Sequence, residues 1–219
     1  MDFARAFSFQ FQDPDWVKKI AIIALISLIP IVGQFVALGW SLDVTRRVIQ
    51  RDQTPLPDLR FGEQLGHGFR GFVVGLVYAL PIILIQLPII IASSLVSSGN
   101  VNPDVANTVL AAVSVCCGGL IVVYSLFLAV ILPVATTNFV AQNRIGAALR
   151  LGEVLGLFRA APGAWLFVLL GVIVGGFVAS FGTILCVVGV IFTSAYVLSV
   201  TGHLYGQAYL ESVRNQAYR

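Results

Sequence analysis

The chain has 219 residues, 58% hydrophobic and 11% charged, with a formal net charge of +3 and a mean hydropathy of +0.94. A soluble domain carries about 25% charged residues, so the composition excludes an ordinary water-soluble globule, and so small a charge gives no reason to expect a nucleic-acid partner. Several apolar runs reach the roughly 20 residues that cross a bilayer as a helix, and none alternates as a membrane strand must. The expected fold is an all-α integral membrane protein.

Residues 1–12, MDFARAFSFQFQ, set Phe3, Phe7, Phe9 and Phe11 beside Asp2 and Arg5, a composition suited to the membrane interface. Asp13-Pro14-Asp15 then reads as a helix start: Asp13 as cap, Pro14 at the first helical position, Asp15 at the positive end of the dipole. Lys18-Lys19 and about ten apolar residues imitate a signal peptide. The charges come late and no small-x-small site follows, so a cleavable signal is not expected. Pro30 ends or kinks the first helix. A second helix covers residues 34–49, with Asp43 placed to pair with Arg46 and Arg47.

Residues 51–70 form a polar connection in which Pro55, Pro57 and Asp58 mark a turn into a short surface helix. A transmembrane helix is expected over 71–96, with Pro81 and Pro88 inside it and a Gly71/Gly75 face for close helix approach. A polar loop follows, then a second transmembrane helix over 107–134, near whose end stands Pro133. Residues 143–160, with Arg144, Arg150, Glu153 and Arg159 among leucines, suit a helix lying on the membrane surface. Pro162 and Trp165 open the last membrane region, 164–209, whose first helix carries Gly171, Gly175 and Ala179 four apart. Cys116, Cys117 and Cys186 fall in apolar segments without metal-ligand spacing and read as small apolar fillers.

An offset of 156 residues lays 28–45 over 184–201, with Val32, Gly33, Leu42, Val44 and Thr45 identical and Trp40 on Tyr196. Surface segment, proline start, aromatic and two apolar arms recur in the same order. Residues 16–50 therefore read as a helical hairpin, a shortened twin of 164–209. Its first arm of roughly 20 Å is short for a core of about 30 Å, so the hairpin is either re-entrant or spanning. About six membrane helices result, two hairpins flanking two transmembrane helices. Every Lys and Arg then falls on one side, which the positive-inside rule makes cytoplasmic together with both termini. Trp16, Lys18, Lys19, Trp40, Arg46, Arg47 and Trp165 are the expected interface anchors.

Candidate chemistry is sparse. His67 and His203 at the cytoplasmic edge could serve as haem or pigment ligands, although neither has carboxylate or thiolate company, and no cofactor or metal is expected. No ionisable residue lies at the membrane centre; Gln34 and Gln86 are the notable polar side chains there, either lining a pathway or bonding between helices. Metalloprotease, P-loop and nucleophile-elbow motifs are absent, so no catalytic residue is expected. The arginine clusters would attract anionic headgroups.

The run AFSFQFQDPDWVKK, LIPIVGQFVALGW and RRVI, then LPDLRFGEQLGHGFRGF, IGAALRLGEVLGLFRAAPGAW and GHLYGQAY, resembles an uncharacterised prokaryotic membrane family, domain of unknown function 4013. Ala161 stands where the family often has a polar residue before Pro162. The resemblance implies a multi-pass protein of the prokaryotic plasma membrane and brings no catalytic residues. The functional expectation is a non-enzymatic structural or accessory subunit that packs against partner subunits and lipids. The alternatives are a small-molecule or lipid carrier or channel and, more remotely, a haem- or pigment-binding subunit.

Overall fold

A computed structural model describes residues 2–52, 54, 56–98 and 102–218, with the backbone alone at 184–188. Expectations resting on Pro55, on residues 99–101, on the Cys186 side chain and on Arg219 lie outside the described residues. Among the described residues there is no strand. The helices are α1 Phe3–Ser8, α2 Trp16–Ser27, α3 Val32–Gln50, α4 Phe61–Ser98, α5 Pro103–Gln142, α6 Ile145–Leu149, α7 Leu151–Ala160, α8 Pro162–Phe181 and α9 Cys186–Ala217, with 3-10 segments at Phe9–Gln12 and Gly182–Leu185.

Local chemistry sets these boundaries. Asp2 caps α1, its carboxylate accepting from Arg5 N at 3.0 Å. Asp13 is not the helix cap and Pro14 is not the first helical residue: Asp13 Oδ1 accepts from Asp15 N at 2.9 Å and its carbonyl accepts from Trp16 N, so α2 begins at Trp16. After Ser27 the chain reverses through a γ-turn centred on Ile31 (φ 64, ψ −64), closed by Val32 N donating to Pro30 O at 2.7 Å. This turn is rare and strained. Pro30 supplies the carbonyl and has no N–H to continue α2. Arg51 ends α3 in the left-handed region at φ 56. Pro162 opens α8 from the first turn, where its missing N–H is harmless.

Further expectations change. The connection at 51–70 is shorter than expected, because α4 already starts at Phe61 and continues without a break into the apolar run. Pro133 does not end α5, which runs on to Gln142; prolines are tolerated inside long apolar helices because neighbouring groups re-satisfy the freed carbonyls. The surface helix at 143–160 is two pieces, since Arg150 leaves helical geometry at ψ 84. Residues 3–12 form a short helix and a 3-10 turn, in which Ala6, Phe9 and Gln10 are buried.

The chain divides into two compact units, residues 1–74 with 130–219, and residues 75–129. Among the described residues three helices, α4, α5 and α8, are long and apolar enough to cross a membrane.

In the first unit α3 is central. Its Gly39 lies against α4 so closely that an added Cβ would sit 1.8 Å from Gln64 O, and reciprocally a Cβ on Gly68 would sit 1.8 Å from Phe35 O. On another side, Cβ atoms on Gly202 and Gly206 of α9 would meet Ser41 O at 2.5 Å and Val48 Cβ at 2.5 Å. Ser41 Oγ also donates to Leu198 O at 2.8 Å. Residue numbers rise together across this contact, so α3 and α9 run parallel. α8 and α9 run antiparallel, with Gly171 against Leu204, Gly175 against Val197, and Thr193 Oγ1 donating to Ala179 O. A core of Phe9, Ile20, Ile23, Trp40, Val44 and Leu56 fills the space between α2, α3 and the segment before α4. In the second unit, Tyr124 Oη donates to Tyr78 O at 3.0 Å.

Candidate functional site

The strongest candidate site is a cavity of about 510 Å³ where α1, the C-terminal end of α3 and the second half of α9 converge. A cap places Arg5 on the first turn of α1. Helical spacing and the left-handed C-cap bring Arg47 and Arg51 to the end of α3. Arg47 Nη1 donates to the hydroxyl and carbonyl of Thr54 and to Leu56 O, which fixes the guanidinium at the rim. His203 of α9 is buried and stacks on Phe9 at 4.2 Å between ring centroids. Gln207 Oε1 accepts from Asp2 N at 2.8 Å, so its amide nitrogen is the donor both to Asp2 O at 3.1 Å and to His203 Nδ1 at 3.0 Å. His203 Nδ1 is thereby an acceptor, and the ring proton sits on Nε2.

A second polar cluster pins the segment between α3 and α4. Lys19 Nζ donates to Asp13 Oδ2 at 2.8 Å and to Leu56 O at 3.1 Å, and pairs with Asp58 at 3.1 Å. Trp40 Nε1 donates to Pro57 O at 3.0 Å, and buried Gln64 bridges Asp58 O and Arg60 N. Burial of Asp13 by itself would raise its carboxyl pKa. The Lys19 ammonium and the Asp15 N–H outweigh that and hold it below the ordinary 3.8. A third cluster pairs His67 Nδ1 with Asp43 Oδ1 at 2.8 Å, on the wall of a space of about 250 Å³ that Arg47 also lines. At the start of α7, the Glu153 pKa is lowered by hydrogen bonds from Arg150 and Gln142, Arg150 Nη1 lying at 2.9 Å.

These positions revise several expectations about individual residues. Asp43 pairs with His67 of α4, not with Arg46 or Arg47; Arg46 and Arg70 instead reach Asn143 Oδ1. Trp40 and Trp165 are core residues rather than interface anchors, at 0% and 1% exposure. Each is drawn inward by a buried acceptor for its indole N–H: Pro57 O for Trp40, Ser212 Oγ for Trp165. Lys19 is likewise held in an ion pair, whereas Lys18 is exposed and Trp16 lies half-buried in edge contact with Phe11. Gly71 packs on Leu42, but a Cβ on Gly75 would meet nothing within 4 Å. Gln34 Nε2 donates to Ser27 O at the end of α2, and Gln86 is exposed on α4. His67 and His203 line separate cavities and are not brought together. Cys116 is exposed, so it fills no interior gap, and Cys117 is half-buried.

Sequence reasoning missed the crossing at Gly39 and Gly68, the docking of Leu56, and the cavity at the end of α3. The signal available for the last was two arginines four residues apart at the end of α3, Arg47 and Arg51, with a third, Arg5, early in an aromatic segment.

No curated protein and no solved structure matches the chain. The cavity residues Asp2, Arg5, Phe9, His203 and Gln207, and the Asp13–Lys19 pair, lie outside the segment that a family does match, while Arg47, Arg51, Asp43 and His67 lie inside it. That segment is residues 22–188, most of the sequence, and on it the chain belongs to the family described as Protein of unknown function (DUF4013).

Proposed function

We propose that this chain is a non-enzymatic structural or accessory subunit of a larger assembly in the prokaryotic plasma membrane. In this reading it has about six membrane helices: a short hairpin α2–α3, the helices α4 and α5, and a hairpin α8–α9 that repeats the first, with both termini cytoplasmic. The parallel course of α3 and α9 supports the repeat, and so do Trp40 and Tyr196. They occupy matched positions and each donates to a backbone carbonyl, of Pro57 and Phe7 respectively.

The observation that carries the subunit reading is the bare surface of the two longest helices. Only 11% of the apolar window of α4, and the same share in α5, is buried within the chain. Gly75, Gly118 and Gly119 on these helices have nothing within 4 Å of a would-be Cβ. A helical glycine costs about 0.5–1 kcal/mol relative to alanine, and in a bilayer its return is close approach by another helix. A second chain offering a small-residue face would use these positions.

Purification in mild detergent tests the reading. A stoichiometric partner should co-purify and be lost from the combined Gly75→Leu, Gly118→Leu variant, with the chain still folded. Monodisperse protein that takes up solute in liposomes would overturn it in favour of a carrier, with Gln34 and Gln86 near the pathway. For the topology, single cysteines replacing Gln12 and Arg60 in a background without Cys116, Cys117 and Cys186 should be labelled from the same face; labelling from opposite faces would remove the first hairpin.

A further inference from the structure

We propose that the cavity between α1, α3 and α9 is a binding site for a phosphate-ester anion, carried either by an anionic phospholipid headgroup or by a soluble phosphate ester. The imbalance of its charges points to this ligand. Arg5, Arg47 and Arg51 line the space, and none of the three is ion-paired among the described residues. Two carboxylates, Asp52 and the α1 cap Asp2, share the wall with them. Three guanidinium groups against two carboxylates leave the wall net positive around a volume of about 510 Å³, well within the roughly 300–1,000 Å³ of small-molecule sites.

The remaining wall fits the same ligand. Gln207 fixes His203 so that its Nε2–H is a donor, and no acceptor among the described residues takes it up. Phe9, Val48 and Leu210 add an apolar side suited to the organic part of an ester. Guanidinium forks match phosphate oxygens two at a time, and Arg47 is pre-oriented by its bonds to Thr54 and Leu56 O. The partners come from the first and last helices together, so the site is a property of the folded chain and not of a basic loop.

The site stands apart from the subunit reading, because the isolated full-length chain is sufficient to test it. Titration with glycerol 3-phosphate in detergent probes the soluble source. Reconstitution with phosphatidylglycerol or phosphatidylcholine, followed by native mass spectrometry, probes the lipid source. Saturable binding of glycerol 3-phosphate or selective retention of phosphatidylglycerol is expected, weakened about tenfold or more in the Arg5→Gln, Arg51→Gln double variant and unchanged in Arg144→Gln. Arg144 is exposed and outside the cavity, so that variant reports generic charge alone. Binding of the lipid alone assigns a headgroup site, and binding of the soluble ester assigns a phosphate-ester site. No saturable binding of either probe, equal retention of phosphatidylcholine, or equal loss in Arg144→Gln would overturn the proposal.

Discussion

The first unit has glycines at close helix crossings, and the second has none among its described residues. In the first, Gly39, Gly68, Gly202 and Gly206 each bring one helix against the backbone or Cβ of another, closely enough that an added Cβ would lie 1.8 to 2.5 Å from the nearest atom. In the second, Gly75, Gly118 and Gly119 touch nothing beyond their own helices. The first unit also carries the long-range polar pairs: Lys19 with Asp58, Asp43 with His67, Gln10 with Ser199, and Asp2 with Gln207. The described cross-helix polar bond of the second is that of Tyr124 with Tyr78 O. One unit builds its own interior. The other is a helix pair whose apolar windows are only 11% buried within the chain.

Substitutions can break that contrast. The largest effect is expected from Gly39→Ala or Gly68→Ala. Each places a methyl group against a backbone carbonyl that no rotamer change can move aside, for a loss of about 3 kcal/mol. Gly75→Ala should go the other way and stabilise by up to about 1 kcal/mol by removing glycine's chain entropy. Reversible denaturation in detergent micelles measures both, and equal effects at the two positions would erase the distinction between the units. Next comes Lys19→Met, which strands the buried Asp13 carboxylate. Lys19 is partly exposed, so about 2 kcal/mol is expected, less than for a fully buried pair. Asp58→Asn should cost under about 0.5 kcal/mol, because that carboxylate is largely in water. Trp40→Phe keeps most of the ring and loses the bond to Pro57 O, for about 1–2 kcal/mol, seen as a shift in denaturation midpoint.

The pH dependence of the Asp13–Lys19 pair gives a further test. The folded carboxyl titrates below its ordinary value of 3.8. The folded state therefore releases this proton more readily than the unfolded one, and the stabilisation is complete above about pH 3.8. It fades as the pH falls through the lower folded value. Asp13→Asn should flatten that acid limb in a midpoint-against-pH series. A limb unchanged in the variant would show that another carboxylate sets it.

Much of the helical framework was legible because its signals are local. Asp13, Pro30 and Pro162 each mark a boundary through the one or two peptide groups beside them. The stripe Gly171, Gly175, Ala179 was legible too, since helical spacing alone puts it on one face. Signals that need a distant partner were not. Trp40 and Trp165 look like interface residues until buried acceptors for their indoles are known, and those come from Pro57 and Ser212. Asp43 has two arginines within helical reach, yet the carboxylate turns to His67, 24 residues on. Gly39 and Gly68 are unremarkable until α3 and α4 are seen to cross there. Pro133 misled for the converse reason: its local rule is sound, but inside a long apolar helix the break is more costly than the missing bond.

Where α1 finds its contacts bears on the order in which the chain can be assembled. Phe7 O accepts from Tyr196, Gln10 donates to Ser199, Phe9 stacks on His203, and Asp2 is gripped by Gln207. Phe3 approaches Gly171. All of these partners lie in α8 and α9, so the segment cannot make these contacts until both helices have followed. A chain cut short before Tyr196 would leave its phenylalanines without these contacts. The docking of this segment therefore depends on helices that lie far along the sequence.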